Sequence, residues 1–456
     1  MKRKGRSRGG GIVGGWALAA LLSVGITWPG QAAASEPTVH AVPLQPLLDQ
    51  AEPGSVIVLA AGDYAGPAVV DKTLSIRGEE GVTLYGKAGT DALTVRAPKT
   101  ELRGIRVVGP DSDKLAALAI ESDDVVIEDT VIESSGLGIS LRGADRAVIA
   151  GNVVYSADAS AGRGAAGRTG NGIDLYESHD ARIENNEVFD MKDGIYLEKS
   201  HRASVEENRI YRSRYGIHCM YTNGTIVRRN EGEYNVTGAM VMGVRDAVVT
   251  DNSFRKQSEN VHSQGLLLFD VQTSLIERNT FEGNRVGIYM ELSSDNRVEN
   301  NEVLRNFIGV QFLESSDNSF ARNLFLSNVI EAQATDSAGN RMENNYWDAA
   351  QSLDADGDGV SDLAYAINPF FERAVDRTPA FQLFFQSPGM TFLSGLFTGD
   401  KAEWSEDIAP LMEAPESVGA GGAPRLAADR NAEAGWIGIA LTLAAISTIY
   451  LGVRKS

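Results

Sequence analysis

The chain of 456 residues has one cysteine, Cys219, and many fewer basic than acidic residues. A single cysteine cannot form an internal disulfide, so other interactions must hold the fold together. The formal charge is −19, and removal of the first 34 residues, which hold five basic and no acidic residues, makes it −24. Such an acidic charge argues against nucleic acid or an anionic membrane surface as the main partner and favours cations or a basic protein.

Signatures of several enzyme classes are also missing. The sequence contains no Walker motif, no zinc-site spacing and no Ser-His-Asp arrangement. The hydrophobic period of 3.6 residues that a helical solenoid requires is absent as well. Hydrophobic residues nevertheless make up 43% of the chain and charged residues 23%, which is ordinary for a folded protein.

The amino-terminal segment predicts export. Residues 1–34 start with basic residues, continue with an apolar stretch and end in Ala32-Ala33-Ala34. Small residues at this spacing predict a signal peptide cleaved after Ala34, with an uncleaved membrane anchor as the alternative.

The carboxyl-terminal segment predicts a membrane anchor. Residues 436–453 are apolar or small, and as a helix they would span about 27 Å, close to the hydrocarbon thickness of a bilayer. The basic residues that follow, Arg454 and Lys455, favour a cytoplasmic end. The region between the two segments is therefore expected outside the cytoplasm. Its last part, residues 398–435, is rich in Ala, Gly, Glu and Pro and is expected to be a linker.

A repeat of mostly 22 residues dominates the middle of the chain, residues 116–350. Seven of the nine steps between successive coil starts are 22 residues long, and the other two are 34 and 27. The starts are Ala116, Gly138, Gly172, Gly194, Gly216, Gly238, Gly265, Gly287, Gly309 and Glu331. Nine of the ten coils carry asparagine fourteen residues after the start, the exception being Thr130. The longer steps are thus insertions between fixed strands.

Within each coil the apolar residues alternate with a period of two, which is typical of strands with one buried face. Positions one, three and eleven after the start are apolar in all ten coils. We therefore predict an all-β fold, a right-handed parallel β-helix of the pectin-lyase-like type with ten coils. Stacked asparagines can hydrogen-bond from coil to coil. Residues 35–115 are expected to form an amino-terminal cap with the first coils, and residues 351–397 a carboxyl-terminal cap with a docking segment.

Two adjacent coils place unusual side chains at outward positions. His218 and Met220 lie on one coil and Met240 and Met242 on the next. Thioethers with one imidazole suit Cu(I) and do not suit Ca²⁺ or Mg²⁺, so this methionine square is a candidate metal site. The alternative is an apolar patch for protein contact, which Leu267 and Phe269 on the following coil would extend.

Other candidates are less specific. Cys219 lies between His218 and Met220, but the alternation of inward and outward side chains along the strand directs it into the core. His179 and His201 occupy the same position of adjacent coils, where they could bind metal, sense pH or be ordinary turn residues. His262, in the second insertion, could turn toward the methionine square.

Acidic residues give two further candidates. The DxDxDGxxD segment carries Asp354, Asp356, Asp358 and Asp362 and predicts either a calcium loop or an acidic turn. It lacks the Glu of a full calcium loop, because Tyr365 stands at the twelfth position.

Asp174 and Glu198 lie on neighbouring coils near Tyr176 and Tyr196. Paired carboxylates of this kind are found in glycosidases, so a carbohydrate-binding protein, hydrolase or lyase at the cell surface is the alternative function. Scattered surface carboxylates are the simpler explanation.

Several segments resemble the NosD family. The likeness runs over about residues 40–400 and is carried by Pro53-Gly54-Ser55 through Ala61-Gly62-Asp63-Tyr64, by Arg214 to Asn223 (RYGIHCMYTN), and by Asn344-Asn345-Tyr346-Trp347-Asp348 with the aspartate loop that follows. The 22-residue repeat alone is less specific, since many sugar-binding and sugar-cleaving β-helices share it.

This resemblance implies a non-enzymatic, extracytoplasmic subunit of an ABC transporter. Its implied partners are a permease and, through it, a cytoplasmic ATPase, a small copper chaperone, and nitrous oxide reductase, whose maturation requires copper. Family members are often soluble exported proteins, so the predicted anchor at residues 436–453 is a departure that implies fixed docking at the membrane.

Overall fold

A computed structural model of the chain describes residues 41–157, 170–257, 262–337, 339–367 and 405–415, with Asn260 and isolated positions between 374 and 396. Within these residues the chain forms a right-handed parallel β-helix, which confirms the predicted fold class. The predicted signal peptide and the predicted membrane helix at 436–453 lie outside the described residues. No helix in the described part is long and apolar enough to cross a bilayer.

Three long sheets run along the β-helix, and most coils give one strand to each. Among the described residues the first sheet has twelve strands. They are Ala68–Val70, Leu93–Val95, Ala116–Ile120, Leu137–Arg142, Ile173–Tyr176, Asp193–Glu198, Tyr215–Met220, Thr237–Arg245, Gln264–Gln272, Val286–Glu291, Ile308–Leu313 and Ile330–Thr335. Ten of these twelve strands correspond to the ten coils that the repeat predicts.

The other two sheets complete the coils. In the described part of the chain one has fourteen strands and the other fifteen. The fourteen are Val42–Pro43, Gly62–Ala65, Val82–Tyr85, Arg106–Val108, Val131–Ser134, Val153–Ser156, Glu187–Phe189, Arg209–Tyr211, Glu231–Glu233, Ser253–Arg255, Thr280–Glu282, Glu302–Leu304, Leu324–Leu326 and Tyr346–Trp347. The fifteen are Val56–Leu59, Ser75–Gly78, Glu101–Arg103, Val126–Glu128, Val148–Ala150, Arg182–Glu184, Ser204–Glu206, Ile226–Arg228, Val248–Thr250, Leu275–Glu277, Arg297–Glu299, Ser319–Ala321, Arg341–Glu343, Glu406–Asp407 and Tyr365–Ala366.

One predicted coil start is wrong by one residue. Ala116 was aligned with Gly138, but in the twelve-stranded sheet Ala116 pairs with Leu137, and Leu118 pairs with Ile139. In the observed register Leu118 and Ile120 take the same inward positions as Ile139 and Leu141 of the next coil. Both large side chains are fully buried. A slip of one residue would exchange the two faces of the strand, so burial of the larger side chains decides the register.

An asparagine ladder runs inside one turn of the β-helix, as the spacing predicts. It consists of Asn152, Asn186, Asn208, Asn230, Asn252, Asn279, Asn301, Asn323 and Asn345. The backbone N–H and the side-chain amide of each asparagine donate to the Oδ1 atom of the next, at 2.9 to 3.0 Å in the Asn230 step. The ladder thereby satisfies buried backbone donors that no strand can pair.

Both ends of the stack are covered. At the amino end the helix Gln45–Gln50 buries Leu48 against the first coils. At the carboxyl end Trp347 stacks between Phe325 and Tyr365, with ring centroids 4.0 and 4.8 Å away. Residues 405–415 lie inside the stretch expected to be a linker, but they form part of this end, because Glu406–Asp407 adds a strand to the fifteen-stranded sheet. The linker expectation is therefore wrong for residues 405–415.

Candidate functional site

The four members of the methionine square lie side by side on two strands of the twelve-stranded sheet. His218 pairs in register with Met240, and Met220 with Met242. The residues between them, among them Cys219 and Val241, are buried in the core. The three methionines are half-buried, whereas His218 is 7% exposed and hence more enclosed than an outward position implies.

His218 is held by a buried acid that the sequence did not single out. Its Nδ1 atom is 2.9 Å from Oδ2 of Asp193, whose side chain is 1% exposed. Both oxygens of Asp193 also accept hydrogen bonds from the guanidinium of Arg214, at 2.8 and 2.7 Å. Burial by itself would raise the pKa of Asp193, but the hydrogen bonds from His218 and Arg214 outweigh it and lower that pKa. Asp193 is therefore a carboxylate at neutral pH.

The other ring nitrogen of His218 has no such partner. The Nε2 atom is buried and, among the described residues, no hydrogen-bonding group contacts it. The rings of Tyr196 and Tyr215 stand edge-on to the imidazole, each with its centroid 4.9 Å away. A buried nitrogen without a partner costs free energy unless a ligand uses it.

Tyr196 contacts His218 through its ring, and Glu198 and Met220 through its hydroxyl. Its hydroxyl donates to Oε2 of Glu198 at 2.8 Å and lies 3.9 Å from the sulfur of Met220. Burial, followed by the hydrogen bond to Glu198, raises the pKa of Tyr196, so the phenol stays protonated. Tyr196 lies on the coil before His218, and its ring thus forms a fixed wall on that side of the imidazole.

Cys219 does not belong to the site. Its side chain is 1% exposed and lies in the core cluster. Burial raises the pKa of its thiol to about 12, so the thiolate that binds metals is not formed at neutral pH.

An apolar surface adjoins the methionine square on the following coil. Leu267 pairs in register with Met240 and Phe269 with Met242, and both are half-buried. A groove of about 580 Å³ is lined by Leu267 together with Arg214, Tyr215 and His262. His262 is exposed at this groove, but the structure shows no contact between it and His218.

The stacked pair of His179 and His201 belongs to a ladder separate from the asparagine ladder. His179 and His201 stack with ring centroids 5.0 Å apart. The Nδ1 atom of His179 accepts the backbone N–H of His201 at 3.1 Å, and Nδ1 of His201 accepts that of Asn223 at 3.2 Å. These two nitrogens are therefore occupied by backbone donors. Burial, and then the charges of His179 and Arg202, lower the pKa of His201.

This lowered pKa predicts a loss of stability in acid. A folded-state pKa below the unfolded value of about 6.5 means that the unfolded chain binds more protons, so stability falls as pH drops below about 6.5. Asparagine occupies the equivalent position of the next coil, Asn223, so His201→Asn should keep an acceptor without the titration. We expect the melting temperature of the variant to fall less than that of the parent between pH 7.5 and 5. His262→Asn, in an exposed residue outside the ladder, is the control, and equal falls for parent and His201→Asn would contradict the prediction.

Asp174 and Glu198, the carboxylates of the alternative carbohydrate-active function, bind different partners. Asp174 is buried and bound by Arg142 at 2.6 Å and by the side-chain amide of Asn171 at 2.5 Å. Glu198 accepts the hydroxyl of Tyr196. Asp174 pairs in register with Tyr196, and Tyr176 with Glu198, so the two acids lie diagonally on adjacent strands.

The acidic loop brings three of its four aspartates together. Ligand atoms of Asp354, Asp356 and Asp358 all lie within 4.8 Å of one another. Asp362 instead accepts the backbone N–H of Ala355 at 2.8 Å, and both oxygens of Asp354 accept backbone N–H groups of the loop glycines. Calcium binding by this loop stays a prediction from the sequence.

Comparisons with known proteins find a family model and relatives that match this chain. Residues 159–355 match the family model described as "Periplasmic copper-binding protein (NosD)". A "Probable ABC transporter binding protein NosD" of Stutzerimonas stutzeri is 26% identical over 438 residues, which cover 87% of this chain and 94% of that protein. A protein of the same description from Pseudomonas aeruginosa is 28% identical over 156 residues, covering 33% of this chain and 36% of that one.

A solved structure shows the same fold. It is the alginate lyase AlyF-OU02 in complex with G6, with a TM-score of 0.51 and 11% identity, covering 68% of this chain and 86% of that chain. At this identity the likeness concerns the β-helix alone, because one fold can carry many functions.

Proposed function

Because this chain belongs to the NosD family, we propose that it binds one Cu(I) ion at the methionine square and passes it between protein partners outside the cytoplasm. The family is described as periplasmic and copper-binding, and the relatives are named as ABC transporter binding proteins. Binding of Cu(I) by this chain, at His218, Met220, Met240 and Met242, goes beyond those descriptions and rests on the geometry of these four residues.

One observation carries the proposal. The Nε2 atom of His218 is buried without a hydrogen-bond partner among the described residues, and thioether-bearing Met240 is the neighbour of His218 in register. Buried nitrogens are nearly always satisfied in native structures, and one that is not calls for an explanation such as a missing ion. A ligand that coordinates Nε2 would supply that explanation.

The donor set selects the ion by its chemistry. Alternate residues on a strand are roughly 6.6 Å apart and neighbouring strands about 4.8 Å, so four flexible side chains can meet over one point. Thioether sulfur is soft and uncharged, and methionine has three rotatable bonds with which to approach an ion. Sulfur with one imidazole favours Cu(I), whereas Ca²⁺ and Mg²⁺ require oxygen. A site without charged ligands need not bind tightly, which suits a carrier.

The surroundings of the square suit protein contact. The half-buried side chains of Leu267 and Phe269 continue its apolar surface on the next coil. An apolar patch with a polar rim is typical of interaction sites. We propose that Leu267 and Phe269 contact the copper chaperone that donates the ion or the nitrous oxide reductase that accepts it. The transporter permease, with its ATPase, would hold the chain at the membrane.

We predict that the reduced, purified full chain binds one Cu(I) and that Met240→Leu with Met242→Leu weakens binding at least tenfold. The two replacements remove half of the ligands while they keep the volume of the side chains. Competition with a Cu(I) chelator under anaerobic conditions measures the affinity. The matched control is Met290→Leu with Met342→Leu, which replaces two thioethers buried in the core. Cys219→Ser should also have little effect.

Equal affinity of the parent and the Met240→Leu, Met242→Leu variant would contradict copper binding at the square and leave these residues as a protein-contact surface. The proposal also makes the chain a non-enzymatic accessory protein. Cleavage of a polysaccharide by the purified chain, lost in Glu198→Gln, would contradict that part of it.

A further inference from the structure

We infer that Asp193, clamped by Arg214, is a positioning residue that holds the proton of His218 on Nδ1 and thereby leaves the lone pair of Nε2 free for the ion. The inference rests on the proposed copper function, since it names how one ligand of that site is prepared. It adds two residues to the site that do not touch the ion.

The hydrogen bonds around Asp193 fix the position of the proton. Its carboxylate oxygens accept three hydrogen bonds, two from Arg214 and one from His218. A guanidinium is always charged and can only donate, and an ionised carboxylate can only accept. The Nδ1 atom of His218 must therefore be the donor at 2.9 Å. In the neutral ring the second nitrogen, Nε2, then carries no proton.

The surroundings also fix the orientation of the ring. Tyr196 and Tyr215 flank the imidazole edge-on, at 67° and 75° to its plane. The guanidinium of Arg214 lies over the ring of Tyr215, 4.4 Å from its centroid. Arg214 thus contacts one wall of the histidine site as well as Asp193. Loss of the Asp193–Arg214 pair would therefore free both the imidazole of His218 and the ring of Tyr215 beside it.

A second aspartate provides a matched comparison. Asp190 is also buried, and its carboxylate accepts two hydrogen bonds from Arg212 at 3.0 and 2.7 Å. It lies three residues before Asp193, just after the strand Glu187–Phe189, and pairs with Arg212, whereas Nδ1 of His218 contacts Asp193. Asp190→Ala therefore removes a buried Asp–Arg pair of the same kind without removing the acceptor of Nδ1.

The test is nuclear magnetic resonance of the full chain labelled with ¹⁵N in its five histidines, reduced and free of metal at pH 8. Long-range ¹H–¹⁵N correlations report which ring nitrogen carries the proton, and His218→Gln identifies the signals of His218. We expect the parent to show Nδ1–H with an unprotonated Nε2, and added Cu(I) to shift the Nε2 signal. Asp193→Ala should lose the exclusive Nδ1–H form and bind Cu(I) roughly 10- to 100-fold more weakly, the range found when the partner that orients a ligand is removed. Asp190→Ala should keep the tautomer and the affinity of the parent.

Two results would overturn the inference. One is an Nε2–H tautomer of His218 in the parent, a measurement that does not depend on whether a variant folds. The other is an Asp193→Ala protein that keeps Nδ1–H and the parental affinity. If the parent shows Nδ1–H but binds no Cu(I), the copper function fails while the orientation of the ring by Asp193 stands.

Discussion

Asn230→Ala is expected to lower the free energy of unfolding by about 3 kcal/mol, because it breaks the asparagine ladder in the middle of the stack. The Oδ1 atom of Asn230 accepts the backbone N–H and the side-chain amide of Asn208, both at 3.0 Å. Its own amide donates to the carbonyl oxygen of Val205 at 2.8 Å and to Oδ1 of Asn252 at 3.0 Å. Alanine leaves these buried groups short of partners, and water cannot replace them inside the coil.

The adjacent residue gives the control. The side chain of Glu231 is 63% exposed, and its contact with Arg209 spans 3.4 Å. An exposed ion pair contributes little, so Glu231→Ala should change the free energy of unfolding by less than about 0.5 kcal/mol. Chemical unfolding followed by circular dichroism measures both variants. An Asn230→Ala midpoint equal to that of the parent would show that the ladder does not stabilise the coils.

Asp407→Ala is expected to have a similarly large effect, about 3 kcal/mol, confined to the carboxyl end of the stack. Asp407 is fully buried, and its Oδ2 accepts the backbone N–H of Asn345 at 3.1 Å, the side-chain amide of Asn345 at 2.9 Å and Nε1 of Trp347 at 3.0 Å. The two contacts from Asn345 are those that each asparagine makes to the next, so Asp407 adds a final member to the ladder. Its removal should expose Trp347 and the last coil to water.

Tryptophan fluorescence with a soluble quencher measures that exposure, and calorimetry measures the stability. Asp407→Asn is the matched control, because its amide oxygen can still accept the hydrogen bonds and only the charge is lost. We expect its effect to be clearly smaller than that of Asp407→Ala. If Trp347 is no better quenched in Asp407→Ala than in the parent, residues 405–415 do not cover the end of the β-helix.

The two variants differ in how far their effects should spread. Coils of a solenoid contact mainly their neighbours, so stability is close to a sum of terms for single coils and for the interfaces between them. Asn230→Ala should weaken the interfaces with the coils on both sides, whereas Asp407→Ala should destabilise only the carboxyl end of the stack. Comparison of hydrogen exchange near Asn230 with exchange near Trp347 can separate the two patterns.

Much of the fold followed from spacing alone. The 22-residue steps, the inward apolar positions and the asparagines are regular along the chain, and the structure contains them as sheets, core and ladder. The prediction failed at Ala116, because Ala116 and Ala117 are both small and either could take the position of the coil-start glycine. It failed again for residues 405–415, because a high content of Ala, Gly, Glu and Pro also occurs in a segment that packs against the end of a stack.

The candidate site was predicted less completely. The period placed His218 next to Met240 and Met220 next to Met242, because residues one repeat apart pair in register. Asp193 and Arg214 were missed, since the position just before a coil start carries Tyr215, Thr237 and Gln264 on the following coils and shows no pattern. The only signal was an acid preceding Gly194 and an arginine 21 residues later.

The period, the inner face of each strand and the outward row that holds the thioethers could be predicted from the residues alone, because they depend on the regular advance of the chain. Which ring nitrogen of His218 is free, and what closes the carboxyl end, became visible in the folded chain. Asp193 reaches His218 across 25 residues and Asp407 reaches Asn345 across 62, both at distances that no repeat dictates. Such contacts depend on the directions of particular side chains at bends and ends, where the periodic constraint on the backbone stops.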